Sequence, residues 1–259
     1  MNQAASRIET YRAARADVLA RIAAACGRVG RDPASVTLVA VSKTVSAESL
    51  REARTAGLEL FGENRVQEAQ AKAPEVSGAR WQLVGPLQSN KARRALELFE
   101  SIQSIDSLDL AQRLNRLVPE TRPDRRYPVL VQVNVDRDPA KAGFSPDEVD
   151  AAMGELLALP HLAIRGLMTV GRFSAAPAEA RGTFVGLRTL AEQSRTRWPE
   201  LGPDLSMGMT DDFEVAVEEG ATIVRVGRAL FGERPHPHTG TVHTLATADH
   251  PHVTERSTG

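Results

Sequence analysis

The 259-residue sequence is poor in cysteine, in long apolar runs and in net charge, and each shortage excludes a class of protein. The single cysteine, Cys26, excludes an internal disulfide and is typical of a reducing compartment, so we expect a cytoplasmic protein. No run of about 18 apolar residues occurs, which predicts that the chain does not cross a membrane. The formal net charge of −1 provides no general attraction to nucleic acid.

Histidine is scarce in the part of the chain that we expect to fold. Five of the six histidines lie in the last 24 residues, so that only His161 remains for the folded body. We therefore expect neither a histidine metal site nor a histidine-dependent triad there. His236 and His238 could bind a metal ion, but the composition of this segment favours a solvated tail.

Short apolar or β-branched segments alternate with amphipathic segments of helical periodicity. This alternation indicates parallel βαβ units, and eight units in roughly 200 residues predict a single closed (β/α)8 TIM-type barrel. An open doubly wound sheet is the alternative, although no GxGxxG fingerprint follows the first strand. The predicted strands are Val36–Val41, Leu58–Phe61, Arg80–Val84, Ser101–Ile105, Val129–Val135, Ala163–Thr169, Leu205–Met207 and Thr222–Val226.

The domain organisation follows from the same pattern. A long helix at about Ile8–Cys26 precedes the first predicted strand, and one barrel domain occupies residues 1–234. From Pro235 onward the chain is rich in proline, histidine and threonine and has no apolar periodicity. We expect residues 235–259 to form a disordered tail.

Lysine is the rare basic residue, with four lysines against 28 arginines. Lys43 follows the first predicted strand, at the end of the barrel where active groups of this fold gather. A desolvated amine can lose its proton and form a Schiff base, whereas a guanidinium stays protonated. Lys43 is therefore the candidate nucleophile, and a lysine that extends into water from a strand end is the alternative.

Two glycine-bearing segments follow predicted strands seven and eight, where barrels of this class frequently bind phosphate. The first begins at Ser206 and contains Gly208, and its Thr210 is the expected N-cap of the following helix. Such a helix start can bind an anion, although a plain strand-to-helix turn is the alternative. In the second segment, Gly227 allows the backbone to approach a ligand closely.

Two further polar residues lie in or near predicted strands. Arg225 interrupts the apolar run of strand eight, where an unpaired charge would be costly. It faces either the barrel interior, with a carboxylate or a ligand atom as partner, or a carboxylate on an outer helix. Asn64 follows strand two and is either a helix N-cap or a ligand contact.

An amine, a phosphate-binding turn and an interior arginine together suit pyridoxal 5′-phosphate (PLP). Its aldehyde would react with the amine, its phosphate would occupy the turn, and its ring nitrogen would face Arg225. Other phosphorylated aldehydes or ketones, as in lysine-dependent aldolases, would use only the first two features.

Six segments resemble, in order, those of the pyridoxal phosphate homeostasis proteins, a single-domain PLP-binding family formerly named proline synthase co-transcribed. The resemblance covers about residues 8 to 234. It implies a barrel like the N-terminal domain of alanine racemase and a non-catalytic role in PLP (vitamin B6) homeostasis. The segments are Ala40–Thr44, Phe61–Asn64, Gly85–Lys91, Arg165–Met168, Ser206–Asp212, and Val224–Gly227 with Phe231 and Gly232.

The resemblance also implies the roles of the site residues. PLP would be held as a Schiff base by Lys43, with Arg225 at the ring nitrogen. The phosphate would lie against the turn of Ser206, Gly208 and Thr210 and against the loop of Gly227, and Asn64 would lie near the cofactor. Two positions depart from the family pattern: Thr210 stands where serine is usual, and Arg228 stands where a small hydroxyl residue is common. The hydroxyl of the first survives, and the role of Arg228 is open.

Several expectations favour a carrier over an enzyme. Resemblance to alanine racemases implies that a second base would be a tyrosine from a C-terminal β-domain, for which we expect no room after Gly232. The two tyrosines are Tyr11, in the helix before the first strand, and Tyr127, at the start of the fifth, away from the barrel mouth. A protonated Arg225 would keep the ring nitrogen unprotonated and weaken PLP as an electron sink.

We therefore expect a protein that holds PLP and delivers it to PLP-dependent apo-enzymes, without catalytic residues of its own. A monomer or a weak homodimer is the expected state. The alternatives are a slow single-domain amino-acid racemase and a lysine aldolase-type enzyme without PLP.

Overall fold

The computed structural model describes residues 3–171 and 177–232. Eight parallel strands form a closed barrel in sequence order, and β1 pairs with β8 to complete it. The predicted closed barrel is confirmed, and the open-sheet alternative is wrong. The strands are β1 (Thr37–Val41), β2 (Leu60–Glu63), β3 (Arg80–Leu83), β4 (Ser101–Ile105), β5 (Tyr127–Gln132), β6 (Leu162–Met168), β7 (Asp204–Ser206) and β8 (Ile223–Val226).

Helices surround the barrel, and an additional helix precedes it, as expected. None of the helices in the described ranges is both long enough and apolar enough to span a membrane. The predicted tail, with His236 and His238, lies outside the described residues. The helices are α1 (Gln3–Arg28), α2 (Ala47–Thr55), α3 (Val66–Lys72), α4 (Ala92–Leu98), α5 (Leu108–Thr121), α6 (Pro146–Leu157), α7 (Arg181–Arg197), α8 (Phe213–Glu218) and α9 (Arg228–Phe231).

Local sequence signals account for several helix starts. Serine hydroxyls accept a hydrogen bond from a first-turn amide at the N-caps of α2, α5 and α6. Ser145, the cap of α6, also forms a reciprocal capping box with Glu148. These caps satisfy amides that have no partner within the helix, and they fix where each helix begins.

The alternation of side chains along each strand separates two packed layers. Ala40 and Phe61 face outward, into the large core between the strands and the helices. Val39 and Leu60, their neighbours in the chain, face inward and pack in a small interior cluster with Val84. Residues two positions apart in a strand therefore share a layer, which decides which polar side chains can meet inside the barrel.

The N-terminal helix α1 packs beside the barrel. Val18 is fully buried in its contact face, and the Arg7 guanidinium forms hydrogen bonds of 2.7 Å with both carboxylate oxygens of Glu52 on α2. The ring of Tyr11 contacts that of Phe231 on α9 edge-on, with centroids 5.9 Å apart. This packing places α1 next to the carboxyl ends of β1 and β8.

Candidate ligand-binding site

Lys43 lies just after β1, at the carboxyl end of the barrel, and lines a cavity of about 320 Å³. Gly227 and Arg228, at the start of α9, line the same cavity, as do Tyr11 and Phe231. The structure thus brings the predicted lysine together with the glycine of the loop after β8. It also adds Tyr11, which comes from the helix that precedes the first strand.

The backbone around Lys43 is held from the outer side of the barrel wall. Ser42 faces away from the cavity, as expected from alternation, and its hydroxyl donates to Glu63 Oε1 at 2.7 Å. Lys72 Nζ donates to the same carboxylate oxygen at 2.8 Å and to the carbonyl oxygen of Ser42 at 2.9 Å. Thr44 adopts φ +67°, a conformation that a β-branched residue rarely takes. Its amide donates to Glu68 Oε2 at 3.3 Å.

Glu63 is the buried centre of this arrangement. Its side chain is fully buried, and Oε2 has no hydrogen-bond partner among the described residues. Burial raises the pKa of Glu63, while the hydrogen bond and charge of Lys72 oppose the rise. Lys72 therefore supports the turn next to Lys43 and also compensates a buried carboxylate.

The loops after β7 and β8 are joined directly. The amide of Gly227 donates to Thr210 Oγ1 at 3.3 Å. The prediction that Thr210 caps the following helix is wrong, because α8 begins at Phe213 with Asp212 as its N-cap. The Asp212 side chain is directed toward the preceding loop, where its Oδ1 accepts a hydrogen bond from the amide of Met209 at 2.5 Å. The Thr210 hydroxyl thus bridges two loops rather than starting a helix.

Gly208 has φ +90°, and a Cβ at this position would lie 2.6 Å from the Cβ of Ala216. Only glycine therefore fits without rearrangement of α8. Its carbonyl oxygen accepts from the backbone amide of Arg225 at 3.0 Å. This bond fixes the turn after β7 against β8.

Arg225 faces the barrel interior, so the outward alternative is wrong. It is 4% exposed, Nη1 donates to Ser206 Oγ at 2.6 Å, and Nη2 donates to the carbonyl oxygen of Thr169 at 2.7 Å. Burial lowers the pKa of Arg225 to about 10, and the charge of Asp212 opposes the decrease. The side chain consequently remains protonated at neutral pH, although none of its hydrogen bonds in the described ranges goes to a carboxylate.

Neither Ser206 nor Asn64 lines the Lys43 cavity. The Ser206 hydroxyl is fully buried beside Arg225, and its contact with a phosphate stays a prediction. Asn64 lines a separate cavity of about 860 Å³ together with Lys91, between the loops after β2 and β3. It does not cap α3, whose N-cap is Arg65, and its contact with a cofactor also stays a prediction.

Arg228 and Tyr11 line the Lys43 cavity, although the sequence alone assigns neither of them a role there. Arg228 forms an ion pair with Asp211 and so connects the loops after β7 and β8 a second time. Tyr11 comes from a helix that precedes the barrel in sequence, and no local pattern shows which strand ends such a helix will contact. Its packing against Phe231 is a long-range contact that only the fold reveals.

Comparison with known proteins gives consistent results. The family model of the alanine racemase N-terminal domain matches residues 18–235. The pyridoxal phosphate homeostasis protein of Pseudomonas aeruginosa is 44% identical over 85% of this chain and 94% of its own length. The protein of that name from Escherichia coli is 40% identical over 85% and 95%.

Solved structures of related proteins are also similar to this chain. The structure of PipY from Synechococcus elongatus with PLP bound is similar with a TM-score of 0.72 and 42% identity, over 82% of this chain and all of that one. Alanine racemase from Corynebacterium glutamicum has a TM-score of 0.63 at 18% identity, over 92% of this chain and 64% of that one. The second similarity concerns the fold alone.

Proposed function

The chain belongs to the alanine racemase N-terminal domain family and to the pyridoxal phosphate homeostasis proteins, and on that basis we propose that it binds PLP through a Schiff base with Lys43. Its role is to hold PLP in the cytoplasm and deliver it to PLP-dependent apo-enzymes, without turnover of its own. The observation that carries the proposal is the shared cavity of Lys43 and Gly227, which follows the buried Arg225 by two residues.

The groups present fit this cofactor by their chemistry. Lys43 supplies an amine, and the cavity that it lines opens on Gly227 and on the start of α9. Gly227 has no side chain, so the backbone there can approach an anion closely. The guanidinium of Arg228 adds positive charge at the cavity wall.

Arg225 is the residue that would hold the ring nitrogen of the cofactor. When bound, PLP supplies an aldehyde for the lysine and a conjugated ring that can accept electrons. The protonated guanidinium of Arg225 has only donors, so it would hydrogen-bond an unprotonated ring nitrogen. An unprotonated ring is a weaker electron acceptor, which suits storage better than catalysis.

An absorption spectrum and an intact mass, recorded before and after borohydride reduction, test the proposal. We expect added PLP to produce a visible imine band, and reduction to fix one PLP on Lys43. Lys43→Ala should abolish the band, and Lys91→Ala, in the other cavity, is the matched control. Colourless wild-type protein after PLP addition would contradict the proposal and would favour the aldolase-type alternative.

A slow racemase is the second candidate, because Tyr11 lines the cavity of Lys43 and could supply a base on a second face. Incubation with L-amino acids in deuterium oxide should show exchange at Cα if this activity exists. Tyr11→Phe should then abolish the exchange while leaving the imine band unchanged. Absence of exchange in the wild type would exclude this candidate.

A further inference from the structure

One side of the barrel interior is polar, although the interiors of such barrels are usually filled by branched apolar residues. Arg225 and Ser206 contribute to it from β8 and β7, and Gln103 and Gln82 contribute from β4 and β3. Gln103 and Ser206 are fully buried. Buried polar groups lower stability unless they are hydrogen-bonded, so a connected set of them requires an explanation.

These four side chains form a continuous hydrogen-bonded chain across the barrel. Arg225 Nη1 donates to Ser206 Oγ at 2.6 Å, and Ser206 Oγ donates to Gln103 Oε1 at 2.6 Å. Gln103 Nε2 donates to Gln82 Oε1 at 2.6 Å, and Gln82 Nε2 donates to Glu100 Oε1 at 3.0 Å. Each member accepts from the side of Arg225 and donates toward Glu100.

The two ionic ends determine this direction. Arg225 has no acceptor, so Ser206 must accept from it and is left to donate to Gln103. An ionised Glu100 has no donor, so Gln82 must turn its NH₂ group toward it. Between these ends, only one orientation of both glutamine amides satisfies every bond. The hydrogen-bonded chain therefore presents an acceptor to the guanidinium at one end and a donor to a carboxylate at the other end.

The far end opens at the opposite side of the barrel. Glu100 lines a cavity of about 270 Å³ with Arg80 and Arg125, near the amino ends of the strands. Arg80 holds Glu100 through two hydrogen bonds, of 2.8 and 2.9 Å. The anchor of the chain is thus a paired carboxylate that lies well away from the cavity of Lys43.

We propose that Gln103 and Gln82 are positioning residues for Arg225, and that Glu100 anchors the chain which orients the guanidinium toward the ring nitrogen of the cofactor. This inference rests on the proposed function, because the ring nitrogen is present only if PLP binds in the cavity. It assigns a role in cofactor binding to Glu100, a residue at the opposite end of the barrel.

The test compares four full-length proteins loaded with PLP: wild type, Gln103→Met, Glu100→Gln and Glu97→Gln. Glu97 pairs with Arg94 outside the chain, so its variant makes the same charge change without altering the charge of the anchor. We expect Gln103→Met to shift the imine band and weaken PLP binding about tenfold, as for one lost hydrogen bond. Glu100→Gln should shift the band in the same direction, and Glu97→Gln should match the wild type.

A readout without cofactor separates positioning from general stability. In the PLP-free protein, the Nε–H resonance of Arg225, assigned through Arg225→Lys, should move in Gln103→Met and Glu100→Gln but not in Glu97→Gln. Lower thermal midpoints with unchanged bands and unchanged resonances would overturn the proposal and leave a structural role only. A wild type with no imine band, but with a shifted Arg225 resonance in Glu100→Gln, would overturn the proposed function. The positioning of Arg225 by the hydrogen-bonded chain would then still stand.

Discussion

Lys72 Nζ lies 2.9 Å from the carbonyl oxygen of Ser42, so a lysine on the outer face of the barrel wall supports the residue that precedes Lys43. The same ammonium group compensates Glu63, which is fully buried. The left-handed conformation of Thr44 costs of order 1–3 kcal/mol and persists only where the surroundings enforce it. The position of the Lys43 amine therefore depends on an ion pair whose two side chains lie outside the cavity.

Replacement of Lys72 by methionine should both destabilise the fold and slow the reaction of Lys43 with PLP. Removal of one partner from a buried ion pair typically costs about 3–5 kcal/mol, and a relaxed Thr44 would displace the amine. Urea unfolding measures the first effect, and the rate at which the imine band appears measures the second.

The double variant Lys72→Met with Glu63→Leu is the control for this ion pair. It leaves no buried charge, so most of the stability should return while the imine band still forms slowly. If the double variant formed the imine as fast as the wild type, the pair would contribute to stability alone and would not position Lys43.

The Thr210 hydroxyl joins the loops after β7 and β8, and its removal should loosen the two loops against which we propose that the phosphate binds. We expect Thr210→Val to weaken PLP binding about tenfold, the size of one lost hydrogen bond, with Thr210→Ser close to the wild type. Equilibrium titration of the imine band measures both. Weakening in Thr210→Ser but not in Thr210→Val would show that the methyl group, rather than the hydroxyl, is needed.

The sequence predicted what depends on local patterns. Alternating apolar segments located all eight strands, and strand alternation placed Ser42 and Lys43 on opposite faces. Residues brought together by the closed barrel were not predictable, because Arg225 finds its hydroxyl partner on β7 and its carbonyl partner after β6. The predicted N-cap of α8 was also wrong, since the Thr210 hydroxyl accepts a hydrogen bond from Gly227, which lies in a different loop. Long-range contacts of this kind override local propensities without any sign in the neighbouring residues.

Arg228 should strengthen the binding of the phosphate at low ionic strength. Arg228→Thr restores the small hydroxyl residue that is common in the family and leaves Asp211 without its partner. Because this ion pair is exposed, the free energy of unfolding should change by less than about 1 kcal/mol. PLP binding should weaken at low salt and approach wild-type affinity at high salt, where exposed charges are screened. A loss of affinity that is independent of salt would contradict an electrostatic role.

Tyr127 should contribute to stability rather than to the site. It is fully buried at the start of β5, and its hydroxyl donates to the carbonyl oxygen of Phe99 at 2.7 Å. We expect Tyr127→Phe to cost about 1–3 kcal/mol, because it leaves a buried acceptor unpaired, with an unchanged imine band.

Burial raises the pKa of Tyr127, so the folded protein keeps this proton at pH values where the unfolded chain has lost it. Its contribution is therefore complete below about pH 10 and falls as the pH rises further. Urea unfolding of both proteins at pH 8 and at about pH 10.5 should show a smaller difference at the higher pH, and a constant difference would mean that Tyr127 ionises equally in both states.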